Sequence, residues 1–241
     1  MTRLLLLSLL LFLLVFIVPV ALRAALFRHE ASAEWWNADR SSARLLPPSG
    51  SVDALVRIYC ARTVSWRGIF AVHSWIVIKD RGGAFERYDL TAWGEPIRLN
   101  GFLPDGRWFG QLPQEVYAAD GVAAEKLIPR MREAIRSYRY SALGEYTAWP
   151  GPNSNTFVAA VMASIPEIHA SLPPTAIGKD FPVDGRWLAP TPSRTGFRVS
   201  LGGYAGLTLA WVEGVQINFL GLVAGFDLRR PAIFLPAFGR L

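Results

Sequence analysis

Residues 4–22 form an apolar run of nineteen positions without a charge, closed by Arg3 on one side and Arg23 on the other. A helix of that length crosses the hydrocarbon of a bilayer. A secretory signal is the alternative, but its apolar core runs only about 7–15 residues and ends in a small-x-small cleavage site. Here Pro19 and Arg23 stand where that site would begin. The expectation is therefore one retained transmembrane helix over residues 1–28, in contact with membrane lipids, with a cleaved signal as the alternative. Basic residues flank both ends, so the bias of Lys and Arg toward the cytoplasm does not orient the span. Its position near the N-terminus has the layout of an uncleaved export signal, which places the body on the periplasmic side of a bacterial inner membrane.

After a Pro- and Ser-containing stretch at 45–51, read as the end of a tether over 29–51, the pattern changes to strands. Residues 56–63, 70–79 and 85–93 are rich in β-branched and aromatic side chains, and Asp80-Arg-Gly-Gly supplies a turn between the last two. Residues 97–103 and 108–112 read as a second hairpin around Pro104-Asp-Gly-Arg. Apolar positions Val122, Leu127, Met131, Ile135 and Tyr138 then recur at helical spacing, with Pro129 expected to kink that helix or to begin it. A second helix over 156–165 follows Asn153-Ser-Asn, whose side chains can accept hydrogen bonds from first-turn amides, and Pro166 ends it.

Short strands return at 197–201, 207–212, 215–220 and 232–235. A second transmembrane helix within 201–226 is the competing reading. Glu213, six glycines and the alternation of Val215-Gln-Ile-Asn-Phe favour strands. The expected body is a single α+β domain over 52–241, an antiparallel sheet packed with helices.

Composition narrows the function classes. Of 25 basic residues only Lys79, Lys126 and Lys179 are lysines, an arginine bias which, with abundant Ala and Gly, suits a bacterial genome rich in G and C. The net charge of +6 is spread along the chain and forms no basic stripe with stacking aromatics, so no nucleic-acid partner is expected. The single Cys60 excludes an internal disulfide and a multi-cysteine zinc site, and its alternating surroundings make it a buried strand residue. No metal or cofactor is expected, since no dinucleotide, phosphate-loop, nucleophile-elbow or zinc-protease motif occurs.

Three histidines are available. His29 and His169 read as solvated. His73 lies inside the apolar strand Phe70-Ala-Val-His-Ser-Trp-Ile-Val-Ile, where a buried imidazole needs a hydrogen-bond partner. Ser154 sits where Trp149-Pro-Gly-Pro-Asn-Ser-Asn-Thr-Phe runs into a helix, beside free amides and the positive end of the helix dipole. An ordinary N-cap serine is the plain alternative. Hairpin register decides what orients His73. A two-residue loop at 81–82 makes Tyr88 its diagonal neighbour, whereas a three-residue loop at 81–83 makes Asp89 so, and the Gly-Gly pair suits the longer loop.

Together the histidine strand 70–80 and Asn153-Ser-Asn-Thr-Phe157 resemble the layout of circularly permuted papain-like proteins related to the NlpC peptidases and the lecithin retinol acyltransferases, with Ser154 where those enzymes carry cysteine. The whole chain also resembles a bacterial membrane-anchored family of unknown function. The resemblance implies a permuted papain-like fold with a cleft. A thiol is readily activated by an imidazole and a helix N-terminus, whereas a serine needs the histidine as a true general base.

Two functions are compatible with this. The first is a non-catalytic envelope module binding a peptide, cell-wall or lipid ligand, with Trp75, Asn153, Asn155 and Thr156 as ligand contacts. The second is a hydrolase or acyltransferase using Ser154 as nucleophile, His73 as base and Asp89, or else Tyr88, as orienter. A structural role in an envelope complex is the third alternative.

Overall fold

The computed structural model describes residues 2–27, 35–48 and 50–241. Arg28, His29 and Ser49 lie outside the described residues. The chain opens with a continuous helix, α1 (Thr2–Phe12) and α2 (Val18–Phe27) joined by a π-helical stretch, Leu13–Ile17. It is long and apolar enough over Arg3–Phe27 to serve as a membrane anchor or a signal sequence.

The body is α+β with two antiparallel sheets. The first contains β1 (Leu55–Arg62), β2 (Val72–Lys79), β3 (Phe85–Leu90), β4 (Ile97–Leu99) and β5 (Gln114–Asp120), in the order β4-β3-β2-β1-β5. Two helices, α3 (Gly121–Arg136) and α4 (Ser154–Ala163), pack on one of its faces. There Val56, Ile58 and Cys60 of β1 and Ile76 and Ile78 of β2 meet Leu127, Ile128 and Met131 of α3 and Phe157, Val158 and Val161 of α4. Neighbouring residues on a strand project to opposite faces. Leu55, Tyr59, Trp75 and Val77 accordingly build a separate cluster on the far face with Trp108.

Burial raises the Cys60 thiol to about 12, against a weaker opposing effect of Arg62. The native protein should therefore resist modification by iodoacetamide at neutral pH and react only once unfolded, a difference that mass spectrometry reads directly.

The second sheet contains β6 (Leu188–Pro190), β7 (Gly196–Leu201), β8 (Ala205–Ala210), β9 (Gly214–Phe219), β10 (Leu222–Asp227), β11 (Ala232–Leu235) and β12 (Gly239–Arg240), adjacent in chain order. The run 201–226 is thus strand, not a second membrane helix. The polarity of this sheet is reversed. Ser200, Thr208, Gln216 and Asn218 are buried, while their apolar strand neighbours Leu201, Leu207, Leu209, Ile217 and Phe219 are exposed.

The inward side chains are hydrogen-bonded, as burial requires. Lys179 Nζ donates to both Asp180 carboxylate oxygens at 2.9 Å and to Gln216 Oε1 at 2.9 Å. Asn218 Nδ2 donates to Asp180 at 3.2 Å, and Ser200 donates to the Asp180 carbonyl. Burial alone would raise the Asp180 carboxyl, but Lys179, Arg198 and Asn218 together hold it below the usual carboxylate range.

Three local expectations need correction. Residues 108–112 do not pair with 97–103. Trp108 instead bridges Gln111 in a tight turn through Phe109 and Gly110, both at positive φ, while β4 pairs with β3. Of the two readings of Pro129, that it begins the helix is overturned, since α3 starts at Gly121 and continues through it. The stretch expected to be a tether is tied down where it is described. Asp105 accepts from Ser42 Oγ at 3.0 Å and from the Leu45 amide at 2.8 Å, and Arg107 donates to Ser41 Oγ. The segment works as a strap laid along 105–111, so a soluble fragment starting near Ala43 would sever it.

Candidate functional site

The β2–β3 hairpin pairs Ile76 with Tyr88 and Lys79 with Phe85, the register of a three-residue loop at 81–83. Gly82 adopts φ +67, and the Gly83 amide closes the turn on the Asp80 carbonyl at 3.0 Å. That register brings Asp89 to His73, with Nε2 2.8 Å from Oδ1. A carboxylate only accepts, so Nε2 carries the imidazole proton. The other Asp89 oxygen takes 2.7 Å from Arg87 Nε, and Arg87 Nη1 donates to the Leu103 carbonyl at 2.7 Å. Tyr88, the other possible orienter, faces away and donates to Glu86 at 2.6 Å.

Aromatic rings enclose the group. His73 stacks on Trp108 with centroids 3.7 Å apart, and the Arg87 guanidinium lies 4.1 Å from the Trp75 ring centroid. Arg87 and Asp89 are fully buried, and His73 nearly so. Burial would raise the Asp89 carboxyl, but Arg87 and His73 outweigh it and hold the group below its usual range.

Burial, helped by Arg87, lowers the His73 imidazole from 6.5 against the opposing pull of Asp89. Its sign is clear by linkage. Below about 6.5 the unfolded chain binds a proton that the folded chain refuses, so stability should be complete above that pH and fall as acid is added. The slope for one proton reaches about 1.4 kcal/mol per pH unit. Asp89 adds its own loss only under about 3.8. Denaturant midpoints at pH 7.5, 6.0 and 5.0 should show the decline, and His73→Gln should flatten it.

Ser154 belongs to the other side of the first sheet. Asn155 Oδ1 accepts from Ser74 Oγ at 2.7 Å, so Ser74 faces α4 and its neighbour His73 faces the opposite cluster. Ser154 lies beside Tyr146, whose phenol is raised mainly by burial against a smaller lowering effect of Ser154. The arrangement joins His73 to Asp89 and does not present the imidazole to Ser154.

Nor is Ser154 the helix cap. Asn153 holds that position, accepting from the amides of Asn155 at 2.9 Å and Thr156 at 3.1 Å, while Thr156 Oγ1 accepts from the Asn153 amide at 3.1 Å. Asn153 Nδ2 also binds the carbonyls of Ala148 and Ile177. Asn155 Nδ2 ties α4 to the Val72 carbonyl at 2.9 Å and the Ile177 carbonyl at 2.8 Å. Both Asn side chains, expected to meet a ligand, are committed to internal bonds. Trp75 is likewise buried, its indole donating to the Pro104 carbonyl at 3.0 Å.

Thr156 is buried too, its Oγ1 donating to the Gly178 carbonyl at 2.7 Å, but alone of the expected ligand contacts it borders an open cleft. This cleft, of about 720 Å³, lies between α4 and the β6–β7 edge of the second sheet. Its lining includes Lys179, Arg186, Arg194 and Arg198, with Phe181 and Phe197 beside them. Asp180 neutralises Lys179 and lies 3.5 Å from Arg198, and Asp184 pairs with Arg186 at 2.6 Å. Glu167, itself paired with Arg130, lies near Arg194, so four basic groups meet three acidic ones, a small excess of cationic charge. The sequence reading missed these residues because they sit on separate loops and strands without a common motif. Among the described residues no cluster of three or more His, Cys, Asp or Glu could hold a metal ion.

A family model described as a protein of unknown function (DUF3750) matches residues 53–181. No curated protein and no solved structure matches at a significant level. The matched stretch carries His73, Asp89, Ser154 and Lys179, and ends before the second sheet begins.

Proposed function

The chain belongs to the DUF3750 family, and we propose that it is a membrane-anchored, non-catalytic module of the bacterial envelope whose cleft binds an anionic ligand with an apolar portion. The carrying observation is the cleft of about 720 Å³ between α4 and β6–β7, with its cationic excess and flanking Phe181 and Phe197. Arginine pairs with phosphate or carboxylate in a planar, two-pronged geometry, and the aromatic flanks suit an adjoining apolar group. This favours a lipid or cell-wall fragment over a neutral peptide.

The orientation of His73 away from α4 supports binding over catalysis. A serine nucleophile needs its base within about 3 Å, or one water away. His73 and Asp89, enclosed with Arg87, act in this reading as a structural clamp, and the papain-like resemblance describes a strand-and-helix pairing without its reaction. The N-terminal helix retains the module at the membrane with its body on the periplasmic side.

Hexyl phosphate, titrated calorimetrically into the full-length protein in nonionic detergent, tests the reading. Wild type should bind, and Arg194→Ser and Arg186→Ser should each weaken binding about tenfold, the scale of one charge-assisted contact. A fluorophosphonate probe should leave the protein unlabelled. Equal binding by wild type and both variants, or labelling of Ser154 that His73→Ala abolishes, would overturn the reading.

A further inference from the structure

We infer that the outer face of the second sheet lies against the lipid bilayer, beside the N-terminal helix. Cross-strand register places Phe197, Leu209, Val215, Phe226 and Ile233 in one outward row. The next row aligns Val199, Leu207, Ile217 and Ala224, of which Ala224 is buried, and a third aligns Leu201, Ala205, Phe219 and Leu222. Every side chain in these three rows is apolar. Phe197 is 65% exposed, Leu209 52%, Ile217 52% and Ile233 59%. An antiparallel sheet with one face in water normally turns its polar residues outward. Here they are inward, and a one-residue slip would exchange the faces. The buried bonds of Gln216 and Asn218 hold the register as it is.

The occupant of such a face is indicated by what it adjoins. Phe12 and Phe16 of the N-terminal helix meet Phe219 edge-on, with ring centroids 5.0 and 6.0 Å apart. Both residues lie near the middle of the apolar run, so a helix bathed in hydrocarbon carries the sheet face into the same medium. Antiparallel pairing satisfies the backbone across the inner strands of this sheet, a condition for contact with lipid.

The margins fit a membrane surface. Tyr204, Trp187 and Trp211 are exposed near strand ends, and Arg194 and Arg230 stand exposed on adjoining turns, the residue types that anchor a protein at headgroup level and attract anionic lipid. A second protein copy would be matched by a face with polar groups placed for about ten hydrogen bonds per interface, and these rows offer no side chain able to make one. Phe197 belongs both to this face and to the lining of the cleft, which therefore opens at the margin of the docked surface.

This inference rests on the N-terminal helix being a membrane anchor, so the test probes both. Nitroxide labels are placed on the full chain, reconstituted in phosphatidylcholine–phosphatidylglycerol vesicles, through Leu209→Cys, Ile217→Cys and Ile233→Cys, with Leu7→Cys marking the helix and Leu143→Cys marking solvent. Cys60 is buried and leaves little background. Electron paramagnetic resonance then compares collisions with oxygen, which concentrates in lipid, and with a water-soluble nickel chelate. The sheet and helix labels should be accessible to oxygen and shielded from nickel, and Leu143→Cys the reverse. Sheet labels as open to nickel as Leu143→Cys, with the helix label in lipid, would overturn the docking alone. Labels shielded from both reagents and broadened by spin–spin contact would replace the bilayer with a second copy. A helix label in water would overturn anchor and docking together.

Discussion

Asp89→Ala should lower the stability of the protein by about 3–5 kcal/mol, the usual loss when one partner of a buried ion pair is removed. Arg87 would remain fully buried between Trp75 and Phe102 with its counter-charge gone, and His73 Nε2 would lose its acceptor. Arg87 would lose two bonds to Asp89 and keep one to the Leu103 carbonyl, but a carbonyl carries no charge to balance the guanidinium. Denaturant melts of wild type and variant in the same detergent would read the difference. Asp89→Asn should cost less, because an amide oxygen still accepts from one neighbour. A loss under about 1 kcal/mol, the scale of an exposed ion pair, would contradict the clamp role of this cluster.

The second large effect is expected at Asn153. Asn153→Ala removes the cap of α4, worth about 0.5–2 kcal/mol. It also leaves the Ala148 and Ile177 carbonyls without its Nδ2 donor, although Ile177 keeps a bond from Asn155. Ala148 is exposed, so its carbonyl can take water in place of that donor; the lost bonds add about 0.5–1.5 kcal/mol, and the combined loss should be about 1–3.5 kcal/mol. Ser154→Ala, one position along, should cost under about 1 kcal/mol, the scale of a single neutral hydrogen bond. The two variants therefore separate the cap from the serine. Equal losses would place the anchoring of α4 at Ser154 instead.

Legibility followed the range of the interaction. The Gly-Gly turn after Asp80 was readable because register depends on a few adjacent residues, and the same register accounts for the approach of Asp89 to His73. The helices α3 and α4 showed in their apolar spacing and in the Asn153 segment. β5 escaped notice because Gln114, Glu115 and Ala118 are exposed or half-buried at a sheet edge and Asp120 interrupts the run just before a helix. The direction in which His73 points could not be judged alone, since it depends on which face α4 covers. Ser74 settles that through Asn155, 81 residues away.

The strap at 39–45 was likewise hidden, because Pro47 and Pro48 suggest a linker while the contacts holding it lie on Asp105 and Arg107. In the second sheet alternation revealed strands but not which side was wet. Apolar residues at odd positions of 215–219 predict an inward apolar face in water, and the partners that reverse it, Lys179 and Asp180, come from a loop outside the sheet.

The family-matched stretch ends at residue 181, immediately after Lys179 and Asp180, and this limits how the chain can be divided. Lys179 is completed by Gln216, and Asp180 by Asn218 and Ser200, all three contributed from beyond the matched boundary. A graft of residues 53–181 onto another protein would leave that acid and base without their shared acceptors and donors. Any relative that keeps the pair but carries a different C-terminal half must supply equivalents from new positions, so the smallest transferable piece of this chain reaches at least to Asn218.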